Sequence, residues 1–158
     1  MSDELAPFVP SPTDVIHKML EMADITPQDV VVDLGCGDGR ILFTAVTEYH
    51  AKQAIGYEIQ DHLFQQVTKI IKQKNLDTLI QVYHKNALQA DLSTATVITL
   101  YLTIPGNQRL KSTLATAPPG TRIVSHDFQI AGWHFSEMKN VGLHSVYLYH
   151  LPTAFSPS

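Results

Sequence analysis

Residues 30–40 read VVVDLGCGDGR. The three β-branched valines at the start of this stretch favour a buried strand. The alternating glycines that follow allow positive φ angles and let the backbone approach a ligand closely. Residues 40–43 (RILF) then begin a helix whose first N–H groups face the turn. The stretch therefore predicts a strand, a turn and a helix beside a ligand site.

The spacing of these glycines separates two classes of ligand. A dinucleotide site uses G-x-G-x-x-G and rests a pyrophosphate on the helix N-terminus. Here the spacing is G-x-G-x-G, with Arg40 at the position of the third glycine. Asp33 and Asp38 would repel a diphosphate but suit the sulfonium and ammonium of S-adenosylmethionine, whose carboxylate we expect to meet backbone N–H groups. The pattern therefore favours S-adenosylmethionine as the cofactor.

A second apolar run, residues 54–58 (AIGYE), ends in a carboxylate. Glu58 follows Gly39 by nineteen residues, close to the offset of roughly 20 at which an acidic side chain binds a ribose hydroxyl. A solvated surface glutamate is the alternative interpretation. Because strand position, spacing and the upstream turn agree, we expect Glu58 to bind the ribose.

The composition is that of one small domain. The chain has 158 residues, with 11 Lys and Arg against 15 Asp and Glu, and a net charge of −4. That charge disfavours a nucleic-acid partner held by phosphate contacts and suits a basic substrate. The sequence shows neither an apolar run of membrane-spanning length nor the features of a signal peptide. We therefore expect no transmembrane segment and a cytoplasmic location.

Helical and extended patterns alternate along the chain, as in a parallel sheet with crossover helices. The predicted fold class is α/β: a Rossmann-like, seven-stranded, mostly parallel sheet with helices on both faces, an extra N-terminal helix and a C-terminal antiparallel hairpin. The expected organisation is an N-terminal arm (1–10), a single domain (11–150) and a C-terminal tail (151–158). Strands are predicted at about 30–34, 54–58, 79–83, 96–101, 121–125, 137–141 and 145–149, and helices at about 39–49, 61–74 and 107–114.

Several local predictions concern the ends of these elements. Ser11 is expected to cap the N-terminal helix, with Pro12 at its first position, and Asn107 to cap the helix after strand four. The short interval between strands three and four predicts a turn near residues 90–93 in place of a crossover helix. The tail, residues 151–158, is predicted to be disordered.

At this point the chain resembles the class I, seven-stranded S-adenosylmethionine-dependent methyltransferases. Among them it is similar to the small archaeal and bacterial protein-lysine methyltransferases related to the mitochondrial ATP synthase c-subunit lysine methyltransferase. The resemblance implies transfer of methyl groups to protein lysine side chains by direct displacement. It runs from about residue 8 to 150 and rests on residues 8–12 (FVPSP), the glycine turn, 56–58 (GYE), 97–102 (VITLYL), 120–128 (GTRIVSHDF) and 132–133 (GW).

The same resemblance implies roles for particular residues. Many methyltransferases place an Asp where Asn86 stands, but the amide oxygen of Asn86 can also accept a hydrogen bond from adenine. The alternative is that Asn86 merely caps the following turn. The predicted cofactor-binding residues are Asp33, Gly35 and Gly37 at the amino-acid end, Glu58 at the ribose, and Asn86 and Ala87 at the adenine.

Tyr101 is the predicted catalytic residue. It ends the fourth strand, where open parallel sheets place their ligands. A lysine ammonium, with a pKa near 10.4, has no lone pair, so it must lose a proton and be aligned with the methyl group. We expect the hydroxyl of Tyr101 to orient the amine and its ring to guide the incoming cation. Simple packing of the ring is the alternative.

Other polar and aromatic residues have weaker signals. A hydrolase triad at residues 125–127 (SHD) is excluded, because consecutive strand residues point to opposite faces; His126 or Asp127 then remains a candidate contact for the lysine. The eight histidines show no metal-ligand spacing, so no metal is expected. Phe8 is expected to fold over the cofactor and Trp133 to flank the acceptor entrance, with burial of apolar area as the alternative.

Two further functions stay open. A small-molecule methyltransferase is the first alternative, because the acceptor pocket cannot be identified from the sequence. A non-catalytic module that binds S-adenosylmethionine is the second.

Overall fold

Seven strands form one sheet in the computed structural model, which describes residues 5–155. The order across the sheet is β3-β2-β1-β4-β5-β7-β6, with the first five strands parallel and β7 antiparallel to both of its neighbours. The strands are β1 (Val30–Leu34), β2 (Gln53–Tyr57), β3 (Ile80–Tyr83), β4 (Val97–Leu100), β5 (Arg122–His126), β6 (Glu137–Val141) and β7 (His144–His150). The α-helices are α1 (Thr13–Met22), α2 (Arg40–Thr47), α3 (Asp61–Gln73) and α4 (Ile104–Leu114), with 3-10 helices at Ala87–Gln89 and Thr153–Phe155.

The helices cover both faces of the sheet, so an inner strand such as β1 is buried along its whole length, and four of its five residues are apolar. All five residues of β1 are buried. Val31 packs with α1, α2 and α3, whereas Val32 packs with α4 on the other face. None of the helices within residues 5–155 combines the length and apolar character needed to cross a membrane. The predicted fold class is confirmed.

The strand order reverses between β1 and β4. From β1 the chain runs outward through β2 to β3, then returns to add β4 on the other side of β1. Open parallel sheets bind ligands outside the carboxyl ends of their strands at such a point. The ends of β1, β2 and β4 therefore define the place to look for a site.

The prediction that Asn107 caps α4 is wrong. The helix begins three residues earlier, and the hydroxyl oxygen of Thr103 accepts from the N–H of Gly106 at 2.9 Å. Asn107 is fully buried, and its amide donates to the carbonyl oxygens of Phe128 and Gln129, both at 3.2 Å. Asn107 thus ties α4 to the loop after β5.

The N-terminal cap was also predicted wrongly. Pro12 occupies the N-cap position of α1 without a side-chain hydrogen bond. The hydroxyl of Ser11 instead lies 2.9 Å from Nδ1 of His126, at the end of β5. Ser11 therefore links the N-terminal segment to the far half of the sheet.

Two loop predictions change as well. The single helical turn between β3 and β4 lies at Ala87–Gln89, slightly before the predicted residues 90–93. In the tail, Leu151 and Ala154 are buried against the sheet, so disorder was the wrong expectation for residues 151–155. Residues 1–4 and 156–158 lie outside the described part of the chain, and the division into arm, domain and tail stays a prediction.

Candidate functional site

The glycine turn after β1 is bound to the end of β2. Gly35 and Gly37 have φ angles of +91° and +57°, which glycine adopts readily. The N–H groups of Gly35 and Cys36 both donate to the carbonyl oxygen of Tyr57, at 2.9 and 3.0 Å, and that of Gly37 donates to Oε1 of Glu58 at 2.8 Å. These three N–H groups therefore have partners within the chain. The contact of backbone N–H groups with a ligand carboxylate stays a prediction.

Phe8 covers this turn. A Cβ atom added to Gly37 would lie 2.3 Å from Cε1 of the Phe8 ring, so the ring rests directly on the glycine. Gly37 consequently lies beneath the ring, while Gly35 remains on the wall of the adjoining cavity. This contact places Phe8 over the glycine turn, and closure of Phe8 over the cofactor stays a prediction.

Asp33 presents a buried carboxyl to the same cavity. Asp33 is 3% exposed, and its Oδ1 accepts a hydrogen bond from the hydroxyl of Thr99 at 2.9 Å. Burial raises the pKa of Asp33 to about 7, and the charges of Glu58 and Asp38 act in the same direction. A cationic ligand group beside this carboxyl would stabilise its ionised form, which burial destabilises.

Glu58 follows β2 directly and is 6% exposed. Its Oε1 accepts from the N–H of Gly37 and its Oε2 from the N–H of Gln60, at 2.8 and 2.9 Å. The alternative of a solvated surface glutamate is therefore wrong. Each oxygen retains a second lone-pair site for a ligand hydroxyl on the cavity wall.

Asn86 and Ala87 form another part of that wall. The side-chain oxygen of Asn86 accepts from the N–H of Leu88 at 2.9 Å and caps the 3-10 helix. Asn86 therefore both caps the 3-10 helix and lines the cavity, so the two interpretations of this residue are compatible. A contact of Asn86 with adenine stays a prediction.

One cavity brings together residues from the ends of all three central strands and from the N-terminal segment. Asp33, the last but one residue of β1, lines it from within the strand, and Glu58 and Tyr101 line it directly after β2 and β4. Sequence reasoning missed two of its cationic residues, Arg40 and Lys85. Arg40 donates to Asp38 at 2.6 Å, and its position at the start of the helix was the available signal.

Tyr101 also borders a second cavity. Its ring stacks on His126 with centroids 3.7 Å apart and lies parallel to Phe128 at 6.3 Å. The remaining wall of this second cavity is formed by Pro7, Val9, Leu102, Thr103 and Phe128, none of them charged. Burial, followed by the charge of Asp127, raises the pKa of the Tyr101 hydroxyl, which therefore stays protonated near neutral pH.

His126 and Asp127 converge, although consecutive strand residues were expected to diverge. Asp127 leaves β5 with a φ angle of +64°, which turns its carboxylate to within 3.4 Å of Nε2 of His126. Ser125 behaves as predicted: its hydroxyl points elsewhere and donates to the carbonyl oxygen of Phe128 at 2.6 Å. Burial lowers the pKa of His126 to about 4, so its imidazole is neutral.

Trp133 lies away from the residues that form the two described cavities. Its ring packs edge-on against Phe155 with centroids 4.8 Å apart, beneath the ammonium of Lys111. These contacts fit the alternative interpretation of Trp133, in which the ring serves to bury apolar area.

Comparisons with known proteins agree with this geometry. The model of the ANTKMT methyltransferase domain matches residues 33–137. A protein-lysine N-methyltransferase of Saccharolobus islandicus (strain REY15A) is 40% identical over 148 residues, covering 90% of this chain and 92% of that protein.

Solved structures agree as well. An RNA methyltransferase from Salinibacter ruber, in complex with S-adenosyl-L-homocysteine, superposes with a TM-score of 0.87 and 37% identity over 91% of this chain and 94% of that one. The putative methyltransferase yhhF from Escherichia coli shares the fold, with a TM-score of 0.74 at 17% identity over 92% and 90% of the two chains. With the glycine turn, the acidic cavity and these matches in agreement, the chain belongs to the family of ANTKMT methyltransferase domains.

Proposed function

We propose that this chain binds S-adenosylmethionine and transfers its methyl group to lysine side chains of proteins. The observation that carries the proposal is the meeting of an acidic cavity with an uncharged aromatic one at Tyr101. The 40% identical relative named as a protein-lysine N-methyltransferase supports the choice of acceptor.

The acidic cavity suits the donor. When bound, S-adenosylmethionine supplies a methyl group activated by a sulfonium. Asp33 binds the ammonium of its amino-acid end, where the buried carboxyl otherwise has Thr99 as its hydrogen-bond partner. Glu58 binds the ribose hydroxyls, Asn86 and Ala87 border the adenine, and Gly35 allows close approach. Arg40, which also lines this cavity, supplies a positive charge near the carboxylate.

The aromatic cavity suits an alkylamine. The rings of Tyr101 and Phe128 enclose the methylene chain of a lysine and exclude water from its amine. An uncharged wall disfavours the ammonium relative to the amine and so lowers the pKa of the acceptor. The hydroxyl oxygen of Tyr101 then accepts a hydrogen bond from an N–H of the amine, and the amine lone pair stays free to point toward the methyl group.

Two other acceptors are weighed against this proposal. The Salinibacter relative is named as an RNA methyltransferase, but a net charge of −4 gives little attraction for a phosphate backbone. A small molecule would also fit an uncharged cavity. The acceptor experiment therefore includes both.

The test uses the purified chain, S-adenosylmethionine with a labelled methyl group, and a cell extract. Products are divided into protease-sensitive, ribonuclease-sensitive and low-molecular-weight fractions, and the protein fraction is hydrolysed and analysed for methyl-lysine. We expect the label in methyl-lysine, and at sub-saturating donor at least about tenfold less transfer by an Asp33→Asn variant. Label confined to RNA or to small molecules overturns the proposed acceptor, and tight donor binding without any transfer overturns catalysis.

Phe8→Ala is expected to weaken binding of S-adenosylmethionine about fivefold. The ring lies on the glycine turn and borders the donor cavity, and its partly buried area corresponds to about 1 kcal/mol. Calorimetry measures the effect, with Leu143→Ala, a fully exposed apolar truncation, as the control. Equal affinity of Phe8→Ala and the wild type would remove the lid. A point substitution is preferred to removal of the N-terminal segment, because such a deletion would also remove the contact of Ser11 with His126.

Glu58→Gln is expected to weaken donor binding about tenfold and to lower the melting temperature. A glutamine keeps one acceptor oxygen, so the N–H of either Gly37 or Gln60 would face an amide donor. Glu48→Gln provides the matched control, since the side chain of Glu48 is 56% exposed. An unchanged affinity and melting temperature for Glu58→Gln would contradict both the ribose contact and the link between β2 and the turn.

A further inference from the structure

Three side chains converge on one point beyond the carboxyl end of β5. Nε2 of His126 lies 2.8 Å from Nδ1 of His144, and Oδ2 of Asp127 lies 3.0 Å from Nδ1 of His144 and 3.4 Å from Nε2 of His126. In the tautomer that leaves it unprotonated, each of these nitrogens offers a lone pair, as the carboxylate oxygen does. The three atoms form a compact triangle of metal-ligating type.

From this triangle we infer a site for a divalent transition-metal ion, Zn²⁺ being the ion that its ligands suit best. Bonds of about 2.0–2.1 Å that meet at tetrahedral or octahedral angles put ligand atoms roughly 2.8–3.4 Å apart. The observed separations span that range. Two imidazoles and a carboxylate on one side of an ion form a ligand set known from zinc and non-haem iron sites.

In two of these residues, His126 and Asp127, the other polar side-chain atom has a partner of the kind that metal ligands have. Nδ1 of His126 lies 2.9 Å from the hydroxyl of Ser11. In the tautomer with the proton on Nδ1, that N–H donates to the hydroxyl oxygen and Nε2 keeps its lone pair for the ion. Oδ1 of Asp127 accepts from the N–H of Ser145 at 3.0 Å, which leaves Oδ2 for the ion. These outer contacts orient the ligand atoms before an ion arrives.

The cluster is buried on one side and open on the other. The side chain of His126 is 0% exposed, whereas those of Asp127 and His144 are 26% and 35% exposed. An ion can therefore enter from solvent and keep one or more water ligands. In the absence of an ion, Nδ1–H of His144 donates to Asp127. When the ion binds, Nδ1 gives up this proton to solvent and Nε2 of the same ring takes one from solvent, so the imidazole stays neutral.

The ion would join β5 to the start of β7 and hold the His126 ring against Tyr101, whose centroid is 3.7 Å away. It would thereby stiffen the wall of the aromatic cavity. Sequence spacing gave no signal for it, because two ligands are adjacent and their convergence depends on the positive φ of Asp127.

The test measures metal binding without donor or acceptor, so its outcome is separate from that of the methyltransferase proposal. Chelator-treated, dialysed full-length protein is titrated with ZnCl₂ by calorimetry. We expect one Zn²⁺ per chain at this site. Loss of outer-shell partners alone weakens metal sites about 10- to 100-fold, so His144→Ala is expected to weaken binding at least that much. His150→Ala, an exposed histidine on the same strand, is expected to bind Zn²⁺ like the wild type.

Spectroscopy and a second variant complete the test. Co²⁺ in place of Zn²⁺ is expected to give visible ligand-field bands that disappear in His144→Ala. Circular dichroism checks its fold, and His144→Gln replaces it if the alanine variant is unfolded. Equal Zn²⁺ binding by the wild type and either folded His144 variant overturns the site, as does an equal loss in His150→Ala.

Discussion

Asp33→Asn is expected to weaken binding of S-adenosylmethionine about 10- to 150-fold, the loss of a hydrogen bond between charged partners worth about 1.5–3 kcal/mol. The side-chain oxygen of an asparagine can still accept from Thr99, as Oδ1 of Asp33 does at 2.9 Å. The asparagine lacks the negative charge with which the Asp33 carboxylate would pair with the ammonium of S-adenosylmethionine. Calorimetry with S-adenosylmethionine measures the change.

The same substitution is expected to stabilise the donor-free protein. Burial raises the pKa of Asp33 to about 7, so above that pH the fold holds an ionised carboxylate that opposes folding. Removing it at pH 8 raises the free energy of unfolding by at most about 4 kcal/mol. Asp77→Asn, at an exposed position, is the charge-matched control. A variant that loses stability, or binds the donor as tightly as the wild type, contradicts the role assigned to Asp33.

The raised pKa of Asp33 also predicts opposite effects of pH on stability and donor binding. The folded, donor-free state binds more protons than the unfolded state between about pH 4 and pH 7. Its stability contribution from Asp33 therefore increases as pH falls through 7. Donor affinity decreases over the same interval, because the ammonium pairs with the ionised form. Titrations between about pH 5.5 and 7.5, where the donor amine keeps its proton, measure this, and Asp33→Asn should abolish both effects.

Tyr101→Phe is expected to lower kcat about tenfold with little change in the donor Kd, because one orienting hydrogen bond is lost. Tyr101→Ala also removes the ring shared by the two cavities, and misplacement of the acceptor lowers kcat about 100-fold. Tyr147→Phe is the control, since this side chain packs against Phe135 in the C-terminal hairpin. Full turnover by Tyr101→Phe would assign the ring to packing alone.

Much of the fold was predictable because its signals are local. The valines of residues 30–32 are confined to a buried strand, and the glycines after them allow the positive φ angles of the turn. The prediction for Asn107 failed for a tertiary reason. Thr103 can cap α4 equally well, and Asn107 gains more from the buried carbonyl groups of the loop after β5.

The site residues at strand ends were predictable because parallel strands bring their carboxyl ends to one edge. Asp33, Glu58 and Tyr101 line the same cavity for that reason. The engagement of the turn N–H groups was not predictable. It depends on the register that sets Gly35 beside the carbonyl oxygen of Tyr57.

The sequence by itself determined the order of strands and helices, the glycine turn and the acidic character of its surroundings, since each follows from a few consecutive residues. Tertiary structure alone decided that Phe8 rests on Gly37, that Ser11 meets His126, and that His144 completes a cluster with Asp127. These contacts join segments far apart in the chain. Their geometry depends on sheet register and on one positive φ angle, and neither leaves a periodic signal in the sequence.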